Sequence, residues 1–291
     1  MTVARATDPV RPMARWRAVL PTDPLALAGL VVVAGLAVIA LLGPAAAPYP
    51  EQGIGTTNVP EAMLPPGPGH LLGTDQLGRD VLSRIIVGTR NAMGISVGVV
   101  GLAILIGVPL GAIAGYRRGR VDAVIMRITD LALAFPPLLL AMAIVAALGP
   151  GLEHAALALA ISWWPWYTRL ARATAVSLRE RPFIEAARAI GVSDVRIIFG
   201  HVIPNSLSPI IVQATIDIGT VILAAGSLAF IGLGARAPEA DWGLMVAEGR
   251  TVILNQWWIP TFPGLAIFVS VLAFNLVGDG LRDRFDPRHR R

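Results

Sequence analysis

The 291-residue sequence predicts an all-α, polytopic membrane protein with six transmembrane helices. Three observations carry that prediction: composition, span-length apolar windows and the placement of arginine. Hydrophobic residues make up 55% of the chain and there are 30 glycines besides, while charged residues are only 15%. A soluble domain averages about 45–50% apolar and ~25% charged residues. Folding leaves roughly a quarter of a soluble chain's surface exposed, so this much apolar surface has to be solvated by lipid.

A helix needs about 20 mostly apolar residues to cross a ~30 Å hydrocarbon core. Six windows qualify: 25–42, 95–115, 131–148, 152–167, 210–234 and 257–277. The fourth is the shortest; it ends in Trp163, Trp164, Pro165 and Trp166, and its helix can continue past the membrane surface. With the N-terminus cytoplasmic, all of the 24 basic residues except Arg79, Arg84, Arg90, Arg236 and Arg250 fall inside. That is the bias of the positive-inside rule. The net charge of +5 therefore reads as topology rather than nucleic-acid binding. Trp16 and Tyr116 at the inner face, with Tyr49, Trp257 and Trp258 at the outer, form interfacial belts. Ala45-Ala46-Ala47 resembles a signal-peptidase site, but the apolar window before it is too long for a signal peptide and reads as an uncleaved anchor.

Two absences narrow the chemistry. The chain has no cysteine, and every one of its basic residues is arginine. Thiol catalysis, disulfides and Cys-ligated zinc are excluded. So are lysine Schiff bases and a P-loop, whose lysine reaches the nucleotide phosphates. ATP, if used, is bound by another chain. The four histidines form no metal cluster in sequence.

Outside the spans, 44–73 is rich in Pro and Gly and reads as an irregular external loop. After it, Leu77, Val81 and Ile85 line one helical face and Asp80 and Arg84 stand at i,i+4, with Thr74 or Asp75 as N-cap. This predicts a helix along the outer membrane surface before the second span. The internal loop 179–205 predicts a short helix begun by Pro182, with Ile184, Ala187 and Ile190 on one face. Gly191 breaks it and Ser193 caps a second helix running toward Pro204. The segment 235–256 reads as an external loop carrying Glu239, Asp241 and Glu248.

Glu185-Ala186-Ala187, then Gly191 and later Pro204, resemble the EAA loop of binding-protein-dependent ABC importer permeases. The oligopeptide/dipeptide/nickel branch of that family is also similar at Leu72-Gly73-Thr74-Asp75, Leu77-Gly78-Arg79-Asp80 and Leu82-Ser83-Arg84. The similarity continues at Arg127, Asp130 and Leu133-Ala134-Phe135-Pro136, and at His201-Val202-Ile203-Pro204-Asn205. It covers about 15–285, and His201 favours the peptide-type branch over the broad importer pattern.

The resemblance implies a C-type permease with the type I importer fold, in the bacterial cytoplasmic membrane with both termini inside. Its partners would be a homologous B-type permease, ATP-binding subunits or one fused ATPase, an external substrate-binding protein, and a peptide cargo. Nickel or another small solute is the alternative cargo. It implies no catalytic residue, metal or cofactor in this chain, with ATP and Mg on the partners. The coupling contact would be made by Glu185, Ala186, Ala187, Gly191, His201 and Pro204. The layout is a tail 1–24, an anchor 25–43, an external loop and surface helix 44–90, and a permease core 91–280 with five spans and coupling loop 179–205. A cytoplasmic tail 281–291 follows.

Other residues keep two readings. Asp217 inside the fifth span either lines the translocation path or packs against a polar neighbour such as Gln213, because an intramembrane carboxylate needs a partner or a wet cavity. Asn205 and Gln213 are weaker path candidates. Arg127 and Asp130 either fix a helix end or touch substrate; Pro109, Pro136-Pro137, Pro165, Pro260 and Pro263 supply gating bends or static kinks. Gly107, Gly111 and Gly115 form a close-packing face, within the chain or across a subunit interface. Gly94-Ile95-Ser96-Val97-Gly98 matches a nucleophile elbow in form, but an elbow needs a strand before its helix. An intramembrane serine protease would need an embedded histidine, and His70, His154, His201 and His289 lie outside the spans. A secondary transporter would show more intramembrane acids or a repeat.

Overall fold

The computed structural model describes residues 23–285, so the terminal arginines at 5, 11, 15, 17, 288, 290 and 291, together with Trp16 and His289, lie outside the described residues. Among the described residues the chain is helical, with only a single antiparallel bridge between Thr74 and Asp80. Among the described residues four helices are long and apolar enough to cross a membrane, or five if a bent pair is one span.

Helix α1 (Pro24–Leu42) starts where Asp23 Oδ2 accepts a hydrogen bond from the Ala26 amide at 3.0 Å and Pro24 presets the first turn. Only Ala26 and Gly29 on it are fully buried, Gly29 against Ala273 and Leu276; one side meets the bundle through Val33 and Leu36, and the other, with Val31, Val38 and Leu41, faces outward as a lipid anchor would. A short turn α2 (Pro50–Gly53) lies in the loop that follows.

Helix α3 (Val81–Arg117) corrects the expected division between a surface helix and a second span: its 37 residues run unbroken for about 55 Å. The expected cap is also corrected. Asp80, not Thr74 or Asp75, caps α3, its Oδ2 accepting from the Ser83 amide at 2.7 Å. Thr74 and Asp75 are instead consumed by folding the preceding loop. The Thr74 hydroxyl accepts from the Leu64 amide at 2.8 Å, and Asp75 Oδ1 accepts from the amides of Leu77 and Arg79 at 2.9 and 3.0 Å.

The third expected span is broken. Helix α4 (Gly119–Leu133) and helix α5 (Pro137–Leu148) meet at an 82° bend. The consecutive prolines explain it, because Pro137 forces Pro136 out of the α region and neither can donate to a preceding carbonyl. Asp130 ion-pairs with Arg169 at 2.7 Å rather than with its neighbour Arg127, and Asp122 takes Arg172 through both oxygens. Both arginines belong to helix α6 (Leu152–Arg179), so α4 is tied sideways to α6.

Helix α6 continues well past residue 167. It is not apolar enough to count as a span by composition alone, so the expected six spans are matched in five of their six places. Its place in the bundle supplies the reason. A long stripe from Ala155 to Ala175 is buried by other helices, and a helix covered by protein need not be apolar all round. Gly107, Gly111 and Gly115 of α3 form that cover. A Cβ on Gly107 or Gly115 would lie 2.5 Å from the carbonyl oxygen of Trp164 or Arg172, so the small-residue face is used within the chain.

Three short helices follow: α7 (Pro182–Ala189), α8 (Asp194–Ile197) and, after a π turn, α9 (Ile203–Asn205). Helix α10 (Leu207–Phe230) then returns through the bundle. The 235–256 segment folds a helix α11 (Trp242–Gly249) that the loop reading did not include. Helix α12 (Trp258–Phe285) closes the bundle against α10 and α1, and carries the first residues of the expected tail as helix.

The core has three parts along the bundle. Val99, Ala103, Leu159, Tyr167, Val221 and Leu228 fill the middle. Val81, Trp242, Met245, Trp258 and Phe274 fill one end, and Ala112, Tyr116, Ala175, Ile184, Ile197 and Val202 the other, which is rich in arginine.

Candidate functional site

The arginine-rich end carries a helical lobe built by α7 to α9. Arg181 is extended and Pro182 supplies the first turn of α7, so the helix starts without its own amide donor. Ile184 and Ala187 face down onto Ala112, Tyr116 and Ala175, the ends of α3 and α6. Ile190 was expected on that face; it is instead 80% exposed, because α7 ends at Ala189 and the chain leaves the helical register there. Gly191 follows at φ +79°, a conformation that favours glycine, and turns the chain into α8. Ser193 occupies the cap position, although its side chain makes no capping bond.

The outward face of the lobe carries a group of apolar side chains around Glu185, with Arg181, Asp194 and Arg196 also exposed. Phe183, Ile190, Val195 and Phe199 are all exposed, and Glu185 and Ala186 are exposed between them. His201 sits edge-on to Phe183 with ring centroids 6.5 Å apart, while Pro204 lies exposed in α9. Residues Glu185, Ala186, Ala187, Gly191, His201 and Pro204 thus occupy one lobe, with Ala187 alone among them buried beneath it.

Inside the bundle, Asp217 of α10 is buried and its Oδ1 accepts from Gln213 Nε2 at 3.0 Å. Its Oδ2 and the Tyr167 hydroxyl of α6 are both buried and face one another. Asn205 is not with them; its Nδ2 donates to the His201 carbonyl at 2.6 Å, a bond within one turn of the lobe. Ser96 lies in the middle of α3 and donates to the Met93 carbonyl, an ordinary helix contact with no strand before it.

At the opposite end, Arg79 and Arg84 are 2% and 1% exposed, so they are internal residues rather than part of a surface helix. Asp75 Oδ2 meets Arg79 Nε at 2.7 Å and Arg84 Nη1 at 2.8 Å. Glu248 Oε2 meets the same two guanidiniums at 3.1 and 2.9 Å, joining α11 to the start of α3. The expected Asp80–Arg84 pair does not form. Asp80 receives the Ser83 hydroxyl at 2.7 Å and faces His70 Nδ1 at 2.8 Å, because its side chain is already committed to the helix cap. Sequence reading missed Glu248 as a partner. Its signal was the occurrence of arginines and acids together in segments expected on the side where the positive-inside rule disfavours arginine.

Helix α11 is capped by Asp241, which accepts from the Leu244 amide at 2.9 Å and is 5% exposed. Burial pushes its carboxyl above the usual carboxylate range, and backbone donors offset this in part. A carboxyl raised in the folded state favours folding while protonated. Its contribution is complete below about pH 3.9 and is lost as pH rises through the folded value. Asp241→Asn keeps an acceptor for the cap and removes the charge. Its melting temperature in detergent is expected to change less between pH 4 and pH 7 than that of the parent, and parallel pH profiles would contradict this.

The described residues thus form a bundle of apolar membrane spans with a compact helical lobe at its arginine-rich end. Residues 107–291 match the family described as the binding-protein-dependent transport system inner membrane component, and residues 14–66 match the N-terminal TM domain of oligopeptide transport permease C. The chain belongs to this binding-protein-dependent transport permease family. It is 42% identical to the probable D,D-dipeptide transport system permease protein DdpC of Escherichia coli (strain K12), over 99% of this chain and 98% of that one. It is 45% identical to the dipeptide transport system permease protein DppC of Alkalihalophilus pseudofirmus, over 92% and 88%. It is also 41% identical to the nickel transport system permease protein NikC of Escherichia coli (strain K12), over 89% and 92%. In fold it resembles a chain of the MetNI methionine ABC transporter in inward-facing conformations, with a TM-score of 0.57 and 18% identity over 69% of this chain and 96% of that one.

Proposed function

We propose that this chain is the C-type permease of an ATP-driven importer of dipeptides or oligopeptides in the bacterial cytoplasmic membrane. It pairs with a homologous B-type permease to enclose the path. An external binding protein delivers cargo, and ATP-binding subunits, separate or fused, bind ATP and Mg on the inner side. Both termini and the lobe face the cytoplasm, which the arginine distribution supports. The observation that carries the reading is the lobe itself. Its outward face groups apolar side chains around Glu185, and its buried face sits on the ends of α3 and α6. A docked ATPase would cover Phe183 and Ile190, and Glu185 offers an acceptor for a partner arginine. The closing motion of the ATPases then shifts the bundle between outward and inward access, with nucleotide supplying the free energy.

Asp217 and Gln213 act as one bonded unit along the path, and the Asp217 carboxylate becomes available to an ammonium group when the helices move it away from Tyr167. Asn205 contributes at the junction of lobe and α10. Peptide cargo is supported by the dipeptide permeases among the relatives, and nickel by the 41% identical permease. Selection between them belongs to the binding protein.

The test is ATP-dependent uptake in proteoliposomes holding the whole complex. Glu185→Ala and Gly191→Val are expected to insert and assemble normally while uptake falls at least about tenfold, a change worth only ~1.4 kcal/mol. Undiminished uptake in both variants would sink the coupling role of the lobe. Supplying dipeptide or nickel, each with its binding protein, decides the cargo.

A further inference from the structure

We infer that Tyr116 is the positioning residue that locks the two halves of the lobe to α3. Tyr116 is 3% exposed and lies in the last turn of α3, beneath the lobe. Its hydroxyl donates to Asp194 Oδ1 at 3.1 Å and accepts from Arg188 Nε at 3.0 Å. The Arg188 guanidinium carbon also stands 4.8 Å from the centre of the tyrosine ring. Arg188 belongs to α7 and Asp194 to α8, on opposite sides of the Gly191 bend. One hydroxyl therefore bridges a cation before the bend and an anion after it.

The physical need for such a group follows from the floor of the lobe. Ile184, Ala187, Ile197, Ile198 and Val202 meet α3 and α6 through apolar surface, which is non-directional and lets a short helix slide or rotate. Hydrogen bonds to charged groups are directional and set one register. The far end of α3 holds Arg84 in the ionic network with Glu248 of α11. Tyr116 thus connects the lobe to one continuous helix whose other end is anchored among the loops.

This inference rests on the lobe being the docking site for an ATPase, and the experiment separates the two claims. Complexes of the full chain with its partner permease and ATPases are reconstituted with binding protein and cargo, and the ATP hydrolysed per cargo molecule imported is measured. Tyr116→Phe keeps the ring, its packing and its contact with Arg188, and removes only the hydroxyl. It is expected to assemble at the parent's yield and to raise ATP consumed per cargo about tenfold, the size of change that loss of one charge-assisted hydrogen bond produces in an equilibrium. Asp194→Ala, at an exposed position, is expected to raise the ratio in the same direction. The double variant is expected to match the more severe single one, as members of one connected unit do. A parent-like ratio in Tyr116→Phe, or effects that simply add, overturns the inference while leaving the docking reading intact. Parent complexes whose hydrolysis ignores binding protein and cargo overturn both.

Discussion

Arg84→Met is expected to destabilise the protein by about 3–5 kcal/mol, because removing one member of a buried ion cluster leaves its partners desolvated and unpaired. Arg84 is almost wholly buried and bonds both Asp75 and Glu248, so methionine replaces its volume and none of its charge. Asp75 Oδ2 would retain only Arg79, and α11 would lose half of its ionic tie to α3. The checks are the melting temperature of the detergent-purified complex and the protection of the 235–256 segment from proteolysis. Arg90→Met is the control, because Arg90 is exposed on the same helix and surface substitutions generally fall within about 0.5 kcal/mol. Equal melting temperatures for the two variants would show that the network holds nothing together.

Gly111→Leu is expected to have a comparable or larger effect, this time on the joint between α3 and α6. A Cβ at Gly111 would overlap the Thr168 carbonyl oxygen and lie 2.9 Å from Ala171 Cβ, and both atoms belong to a packed helix that cannot turn aside. The helices would have to separate along the whole glycine face, opening the middle of the core. Overpacking alone costs about 1–3 kcal/mol, and separation of the backbones adds lost packing to that. The amount of folded protein recovered from membranes should fall sharply. Gly101→Leu on the same helix, where a side chain meets open space, should accumulate like the parent. Equal recovery of Gly111→Leu and Gly101→Leu would mean that the two helices do not pack as closely as described.

The same two regions show what was legible in the sequence. The lobe could be read because its signals are local: Pro182 starts a helix, Gly191 ends it, and Ile184 and Ala187 share a face within one turn. Ile190 was misassigned because the helix ended one residue earlier, a boundary that periodicity does not resolve. The glycine face was legible as a packing surface, but its partner was not, since α6 lies some fifty residues along the chain. The bend at Pro136 was visible as a helix interruption and its 82° angle was not, because the direction each half takes beyond the prolines is set by packing of α4 and α5 on α6, which lies further along the chain.

Glu248 is the clearest case of a contact that sequence spacing could not supply. It lies 169 and 164 residues from Arg79 and Arg84, and only the fold of α11 against α3 brings it to both. By itself the sequence determined the membrane setting, the helical class and the lobe, because these follow from composition and from patterns repeating within a turn or a span. Tertiary structure decided which arginines are buried, where α3 truly begins, and which hydroxyl joins the halves of the lobe. Those outcomes depend on desolvated charges finding partners across the bundle, and a buried charge is satisfied by whatever the packing brings within about 3 Å, at any distance along the chain.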